Sequence, residues 1–314
     1  MKAVVVEKFG ESVQVKDQPL PEPKDHEVQI HIAYSGVNPV DWKIQEGYFK
    51  ERMPHEFPII LGWDAAGVVT QTGYGVHHFK KGDEVYAYCR EPVIKKGTFA
   101  EYVSVNENFL ALKPKNISFA EAASIPLAGL TAWQSLFDYA KLQKGQTVLI
   151  HAGAGGVGSF AIQLAKIKGA IVYTTASVNN HPYVKKLGAD FALDYHQEDF
   201  VRAFKMKLPD GFDVVFDCVG GETFRKSFAL VKKGGCLVSI CNFNAESLGQ
   251  QYGVRSGHVF VSPNGRQLRE ISALIESGQL KPPHIEEFTL AHAKQALEKI
   301  RTGHTQGKIV LKVT

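Results

Sequence analysis

The sequence predicts an α/β protein: a doubly wound parallel sheet joined to a second, β-rich half. Between residues 147 and 261 short apolar runs alternate with helical segments, the rhythm of parallel strands crossed over by helices. There are six such runs, at 147–151, 170–175, 190–193, 213–217, 235–240 and 257–261, the number that two mononucleotide-binding halves require. The first 120 residues lack this rhythm and are rich in Gly, Pro and β-branched residues.

The elements follow in chain order. Glu27 to Ala33 alternates polar and apolar residues, the pattern of a half-buried strand. The apolar runs at 65–70 and 99–105, with the turn Lys81-Gly82-Asp83, fit short strands with tight connections. Ser118 is a predicted N-cap for a helix opening at Phe119, and Glu121 completes a capping box. After Pro263 the pattern reads helix (265–277), strand (285–288), helix (290–301) and a last strand from Lys308 to Val313. That last strand shares the style of the front half. The expected division is therefore a β-rich domain of residues 1–120, to which 263–314 returns, and a nucleotide-binding domain of residues 121–262.

At 314 residues the chain has room for two domains, and an apolar share of 44% supports real cores. The net charge of +4 is spread out, with no Lys/Arg block of the kind a nucleic-acid arm or polybasic membrane patch needs. No apolar run approaches the roughly 18 residues of a membrane span, and Met1 to Glu7 is charged too early for a signal peptide. Four cysteines are too few for a disulfide scaffold. A soluble, cytoplasmic protein with reduced thiols is expected, without a nucleic-acid or membrane partner.

The stretch from Thr147 to Gly158 is the most informative. An apolar strand, Val148-Leu149-Ile150, runs into Gly153-Ala154-Gly155-Gly156-Val157-Gly158, and a helix continues from Ser159 to Lys168. A glycine motif between strand and helix marks a dinucleotide site. Gly153 allows the turn, Gly155 admits a pyrophosphate, and Gly158 lets helix and strand pack closely. The free N–H groups at the helix start then face the phosphates. An NAD site places an acid about 20 residues beyond the motif, on the ribose 2′-OH. Here the second strand ends Tyr173-Thr174-Thr175-Ala176-Ser177, without an acid to repel a 2′-phosphate. The expected cofactor is NADPH. By topology the ends of the fourth and fifth strands also meet it, so Cys218, Val219, Gly220 and Cys241 are candidate contacts.

Several segments match one pattern in order: Gly36-Val37-Asn38-Pro39-Val40-Asp41, Leu61-Gly62-Trp63-Asp64-Ala65-Ala66-Gly67, Lys81-Gly82-Asp83-Glu84-Val85, Gly97-Thr98-Phe99-Ala100-Glu101-Tyr102, Pro126-Leu127-Ala128-Gly129-Leu130-Thr131, the glycine motif and Gly307-Lys308-Ile309-Val310-Leu311. The chain resembles the medium-chain dehydrogenase/reductase superfamily, in its zinc-free quinone oxidoreductase branch. The resemblance implies a partly open, barrel-like (GroES-like) catalytic domain joined to a Rossmann domain, with the active site in the cleft between them. It places Ser177 and Tyr195 at the 2′-phosphate, with Asn180 where relatives often carry Lys. Thr131, Phe260, Val261 and Lys308 match positions near the nicotinamide.

Zinc-dependent cousins need a Cys, a His and a third ligand around one ion. This chain has Asn38 at the cysteine position and Gly62 at the histidine position, and the acid that follows, Asp64, cannot hold catalytic zinc alone. The cysteines of the structural zinc lobe are also missing, so no metal is expected. Without zinc, hydrogen-bond donors or solvent must stabilise the oxygen that gains charge as hydride arrives. Asn38 is the first candidate donor and Tyr48 the second, with Asp41 orienting its neighbours. Trp42, Trp63, Tyr48 and Phe49 would suit either a flat apolar acceptor or a core.

The expected activity is NADPH-dependent reduction of quinones or α,β-unsaturated carbonyls. The alternatives are an enoyl-thioester reductase, which needs a basic slot for a carrier, and an NADPH-binding regulatory or RNA-binding protein, which the scattered charge disfavours. A homodimer is expected through the strand near Gly257 to Val261, at one edge of the nucleotide sheet.

Overall fold

The computed structural model describes all 314 residues, which divide into two compact units, Met1–Leu130 with Ser262–Thr314, and Thr131–Val261. The chain opens with β1 (Lys2–Val6), β2 (Gln14–Asp17), β3 (Glu27–Val37), α1 (Pro39–Gln45), β4 (Ile59–Ile60) and β5 (Asp64–Thr72). There follow β6 (Glu84–Tyr88), β7 (Tyr102–Asn106), β8 (Leu110–Leu112), α2 (Phe119–Ala123) and α3 (Pro126–Trp133). The second unit holds β9 (Thr147–Ile150), α4 (Gly156–Ile167), β10 (Ile171–Thr175), α5 (His181–Lys186), β11 (Phe191–Leu193) and α6 (Phe200–Lys207). It continues with β12 (Phe212–Asp217), α7 (Gly221–Ser227), β13 (Val231–Ser239), α8 (Ala245–Tyr252) and β14 (Arg255–His258). The last segment supplies α9 (Gly265–Glu276), β15 (Ile285–Thr289), α10 (Ala293–Arg301) and β16 (Lys308–Lys312).

In the second unit six strands form one sheet in the order β11-β10-β9-β12-β13-β14, and the pairings are parallel. Counted within the unit this is 3-2-1-4-5-6, the Rossmann order. Buried parallel strands need apolar residues on both faces; Val148, Leu149 and Ile150 are fully buried. Leu149, Phe204, Phe212, Val215, Phe224 and Leu237 share one core. The last strand ends at His258, three residues before the expected end at 261. Phe260 and Val261 therefore follow the strand rather than form it.

The first unit has a seven-stranded sheet, β15-β16-β3-β5-β6-β8, with β7 also on β3, and a three-stranded sheet, β2-β1-β4. The core inside the larger sheet is built from inward residues of five strands, among them Val28, Ile30, Ile32, Val69, Val85, Val103 and Leu110. At about 1.5–3 kcal/mol for each fully buried side chain of this size, it holds the sheet closed. The run at 99–105 becomes strand only from Tyr102, while Ala100 makes a single bridge to Ala3. Helix α2 begins at the predicted cap, where Ser118 Oγ accepts from Glu121 N and Glu121 Oε2 accepts from Ser118 N at 2.8 Å. It packs against β3 and β5. The first unit accordingly runs ten residues past 120, to Leu130.

Two features of the returning C-terminal segment position the site. Strand β16 lies antiparallel to β3, with Ile309 opposite Val37. Helix α10 packs on α1, where the Arg301 guanidinium lies 5.3 Å from the Trp42 ring centre and reaches Glu46 Oε1 at 2.9 Å. The second half of α1 is thus held from a segment 255 residues away in sequence.

Candidate active site

At the junction of β3 and α1 the chain turns into helix at Asn38, with Pro39 at the first helical position. Asp41, three residues on, accepts from the Asn38 backbone N–H at 2.7 Å and closes the helix start. The neighbouring strands bring in Asp64, the first residue of β5, and Lys308, the first residue of β16. Lys308 Nζ donates to Asn38 Oδ1 at 2.5 Å and to Val37 O at 3.0 Å, and lies 3.6 Å from Asp64 Oδ2. Asn38 Nδ2 donates to the same Asp64 oxygen at 2.8 Å, and Leu127 N donates to Asp64 Oδ1 at 2.7 Å. All four side chains are buried, with exposures of 0–3%.

These contacts determine the sense of the Asn38 amide. An ammonium has no acceptor and an ionised carboxylate no donor, so Oδ1 must face Lys308 and Nδ2 must face Asp64. One Nδ2 hydrogen is then used and the other is free. Lys308 donates to two acceptors and has the Asp64 carboxylate 3.6 Å away as a counter-ion, and both Asp64 oxygens accept, so the charged forms of both fit the bonding. Burial raises the Asp64 carboxyl pKa, an effect offset by Lys308, the Asn38 amide and the Leu127 N–H. Burial likewise lowers Lys308, offset by Asp64 and Asp41. Asp41 is pushed up to about 7, mainly by burial and further by the Asp64 charge, against the pull of the Asn38 N–H. Its Oδ1 has no hydrogen-bond partner.

In the second unit the loop from β9 to α4 carries the glycine motif. The left-handed residue is Ala152, at φ 55°, not Gly153. Gly153 is required for space instead: a Cβ there would lie 2.0 Å from Thr174 Oγ1. A Cβ at Gly158 would meet Ala152 O at 2.3 Å, whereas at Gly155 nothing but Ala152 O at 3.4 Å is near. The loop thus leaves room over Gly155. Helix α4 starts at Gly156, so the N–H groups of Gly156, Val157 and Gly158 have no partner within the helix. Ala154 completes the loop.

Beneath the loop lies a network that sequence reasoning missed. Ser227 Oγ donates to Thr223 O at 2.7 Å, so it accepts from His151 Nε2 at 3.0 Å. Thr175 Oγ1 accepts from Ala152 N at 3.2 Å and donates to His151 Nδ1 at 3.1 Å. His151 is a neutral Nε2–H imidazole, its pKa lowered to about 4 by burial. A polar side chain inside the apolar run before the glycines was the available signal. Similarly, Asp217 Oδ1 accepts from Val219 N and Gly220 N at 3.0 and 2.9 Å, and Asp217 Oδ2 accepts from Ser239 Oγ at 2.7 Å. That network joins the ends of β12 and β13.

The structure sorts the candidate residues. Thr174 and Thr175 turn inward, Thr174 Oγ1 to Ile150 O at 2.7 Å. Ser177 remains partly exposed and accepts from Asn180 Nδ2 at 3.0 Å; Tyr195 is exposed and lies against the His196 ring. Gly220 approaches Cys241 so closely that a Cβ on it would lie 2.8 Å from the cysteine Cβ. Burial raises the Cys218 thiol well above its usual range, which leaves it a poor nucleophile. Val219 and Phe260 are exposed, and Thr131 and Val261 are buried. Lys308, read from sequence with the cofactor residues, spends its ammonium within the first unit on Val37, Asn38 and Asp64. Tyr48 is not brought into the Asn38 cluster: it is 63% exposed, with its ring edge-on to Trp42 at 5.5 Å. Trp63 and Phe49 are buried.

The residues present do not fit a zinc ion. Gly62 has φ 87°, and a Cβ there would stand 2.3 Å from Phe99 Cδ1, so a histidine has no place. Asn38 offers an amide already bonded to an ammonium. No group of three or more His, Cys, Asp or Glu side chains could hold a metal.

Fold and site together define a nucleotide-dependent oxidoreductase architecture, and comparison with known proteins agrees. Residues 24–115 match the alcohol dehydrogenase GroES-like domain, and residues 187–311 match the zinc-binding dehydrogenase domain. The chain is 40% identical over 301 residues to a 2-methylene-furan-3-one reductase of Solanum lycopersicum, covering 93% of this chain and 73% of the relative. It is 39% identical over 300 residues to the chloroplastic NADPH-dependent alkenal/one oxidoreductase of Arabidopsis thaliana, with the same coverage. A quinone oxidoreductase structure from Coxiella burnetii superposes with a TM-score of 0.91 at 36% identity, covering 100% of this chain and 99% of that one. The chain belongs to the quinone oxidoreductase branch of the medium-chain dehydrogenase/reductase superfamily.

Proposed function

We propose that this protein is an NADPH-dependent reductase of quinones and α,β-unsaturated carbonyls that works without zinc. The observation that carries the reading is the Asn38 cluster. Where zinc-dependent cousins place a thiolate ligand, this chain holds an amide whose oxygen is bound by the Lys308 ammonium and which keeps one N–H free. Such a donor suits an oxygen that gains negative charge.

The glycine loop fits a dinucleotide diphosphate: it leaves space over Gly155 and presents unsatisfied N–H groups at Gly156, Val157 and Gly158. Ser177, Asn180 and Tyr195 fit the ribose 2′-phosphate, and the end of β10 carries no acid to repel it. When bound, NADPH supplies hydride from C4 of its dihydronicotinamide. The acceptor carbon takes the hydride, its conjugated oxygen takes the charge, and a proton from water completes reduction. Asn38 donates its free N–H to that oxygen, and Asp41 holds the backbone from which Asn38 projects. The names of the furanone, alkenal/one and quinone relatives support this acceptor class.

We also propose a homodimer paired through β14, which lies at the sheet edge, and a cytoplasmic location, supported by four free thiols. No helix is long and apolar enough to cross a membrane.

The test is a panel of quinones, alkenals and enones with either coenzyme. Turnover is expected with 9,10-phenanthrenequinone or an alkenone, with kcat/KM higher for NADPH than NADH. Asn38→Ala is expected to lower kcat by about 10²–10³-fold, the usual loss for one oxyanion donor. Retained activity on removal of metal is also expected; loss of turnover on chelation, with stoichiometric zinc in the protein, would contradict the reading.

A further inference from the structure

We infer that Lys308 and Asp64 are positioning residues that act on the acceptor through Asn38: Lys308 binds Oδ1 and Asp64 binds Nδ2, so the amide is held one way round and its second N–H is aimed and polarised toward the acceptor oxygen. The inference deepens the proposed reductase activity and rests on it.

A free asparagine side chain can turn its oxygen or its nitrogen to a ligand. Here the two orientations are not equivalent. Reversing the amide would set Nδ2 against an ammonium at 2.5 Å and Oδ1 against a carboxylate at 2.8 Å. Both contacts would become repulsive in a buried site, where charge interactions are stronger than in water. The amide therefore reaches an acceptor already oriented, which removes part of the ordering cost.

The ammonium does more than orient. A cation on the carbonyl oxygen draws electron density from nitrogen and strengthens the remaining N–H as a donor, as bonds in a chain polarise one another. The positive charge that a metal would place directly on the acceptor oxygen is transmitted here through one amide. Asp64 keeps that charge in place. It is held by the Leu127 N–H at 2.7 Å and lies 3.6 Å from Lys308, so the buried ammonium has a counter-ion.

A double-mutant cycle separates this role from a direct one. Lys308→Met is expected to lower kcat by about 10–100-fold with the wild-type Asn38, leaving KM for NADPH within about twofold. In the Asn38→Ala background the same change is expected to have little further effect, because the route is already cut. Losses that multiply would overturn the inference, because Lys308 would then act without the amide. The charge-neutral pair Lys308→Met with Asp64→Asn guards against misfolding and should give a loss at least as large as Lys308→Met, because the carboxylate that also orients the amide is gone. The infrared carbonyl band of a ¹³C-labelled enone, bound beside NADP⁺, gives a second readout. Its shift to lower frequency in the wild type should disappear in Asn38→Ala and shrink in Lys308→Met; a shift unchanged by Lys308→Met would also overturn the inference. A wild-type protein that turns over no quinone or enone would overturn the reductase reading itself, an outcome distinct from active enzyme with multiplicative losses.

Discussion

At the scale of single residues, Asp41 is the least comfortable group in the protein. Its carboxyl is fully buried, one oxygen has no partner, and its pKa is pushed from 3.8 to about 7. The folded state binds this proton more tightly than the unfolded chain between those values, so its contribution to stability declines as pH rises through the window. Relative to Asp41→Asn, which keeps an acceptor for the Asn38 N–H, the wild type should lose about 2–3 kcal/mol between pH 5 and 7. Urea unfolding of both proteins across that range checks it, and parallel curves would show that Asp41 does not titrate there. Sequence alone marked Asn38, Asp41 and Lys308 one at a time. Their meeting was not legible, because it depends on β16 pairing with β3 at one particular register across some 270 residues. Asp64 was read only as an insufficient metal ligand. Its partners, Lys308 and the Leu127 N–H, come from far along the chain, the nearer of them 63 residues away.

At the scale of elements, the Rossmann strands were legible because a strand buried on both faces reads as an unbroken apolar run. Their ends were less so: the last strand is the polar Arg255-Ser256-Gly257-His258, and the apolar Val259-Phe260-Val261 that marked it in the sequence lies just past its end. The turn from β9 to α4 was legible in its glycines but not in what supports it. Ala152 is left-handed, a conformation that costs a non-glycine residue roughly 1–2 kcal/mol, and Thr175 ties its N–H down under His151. Removing the imidazole with His151→Leu should weaken NADPH binding by about tenfold, one lost hydrogen bond's worth, with kcat at saturating coenzyme nearly unchanged. Fluorescence titration measures the first and steady-state kinetics the second. The His151 pKa is lowered, from 6.5 to about 4, so the unfolded state binds its proton first and this network's stability is lost as pH falls through that range. Urea unfolding is expected to show the wild type losing stability relative to His151→Leu as pH falls from 6.5 to 4, and parallel curves would show that His151 does not titrate there. Gly158→Ala should be more severe, because its Cβ would lie 2.3 Å from a backbone oxygen, which cannot swing aside as a side chain can.

At the scale of the whole molecule, the chain leaves the first unit once and returns once, and the return supplies both a strand and a charge. Strand β16 lies between β15 and β3. It buries Ile309, Val310 and Leu311 completely and carries Lys308. Three such side chains account for about 5–9 kcal/mol of burial, comparable with the total stability of about 5–15 kcal/mol typical of a domain. Its loss would also leave Asp64 as an uncompensated buried charge, which costs several kcal/mol more. Truncation after Gln306 should therefore unfold the first unit. The second unit is contiguous, from Thr131 to Val261, and its core cluster draws only on its own residues. It should remain folded and bind NADPH with no reductase activity. Limited proteolysis of the truncated chain, with and without NADPH, decides the matter. A protected fragment near residues 131–261, whose lifetime rises with coenzyme, is the expected product; complete digestion at the same rate with coenzyme present would show that the second unit depends on the first. Equally, full protection of the truncated chain would show that β16 is dispensable, and the energetic weight assigned to its buried residues and to Lys308 would be wrong.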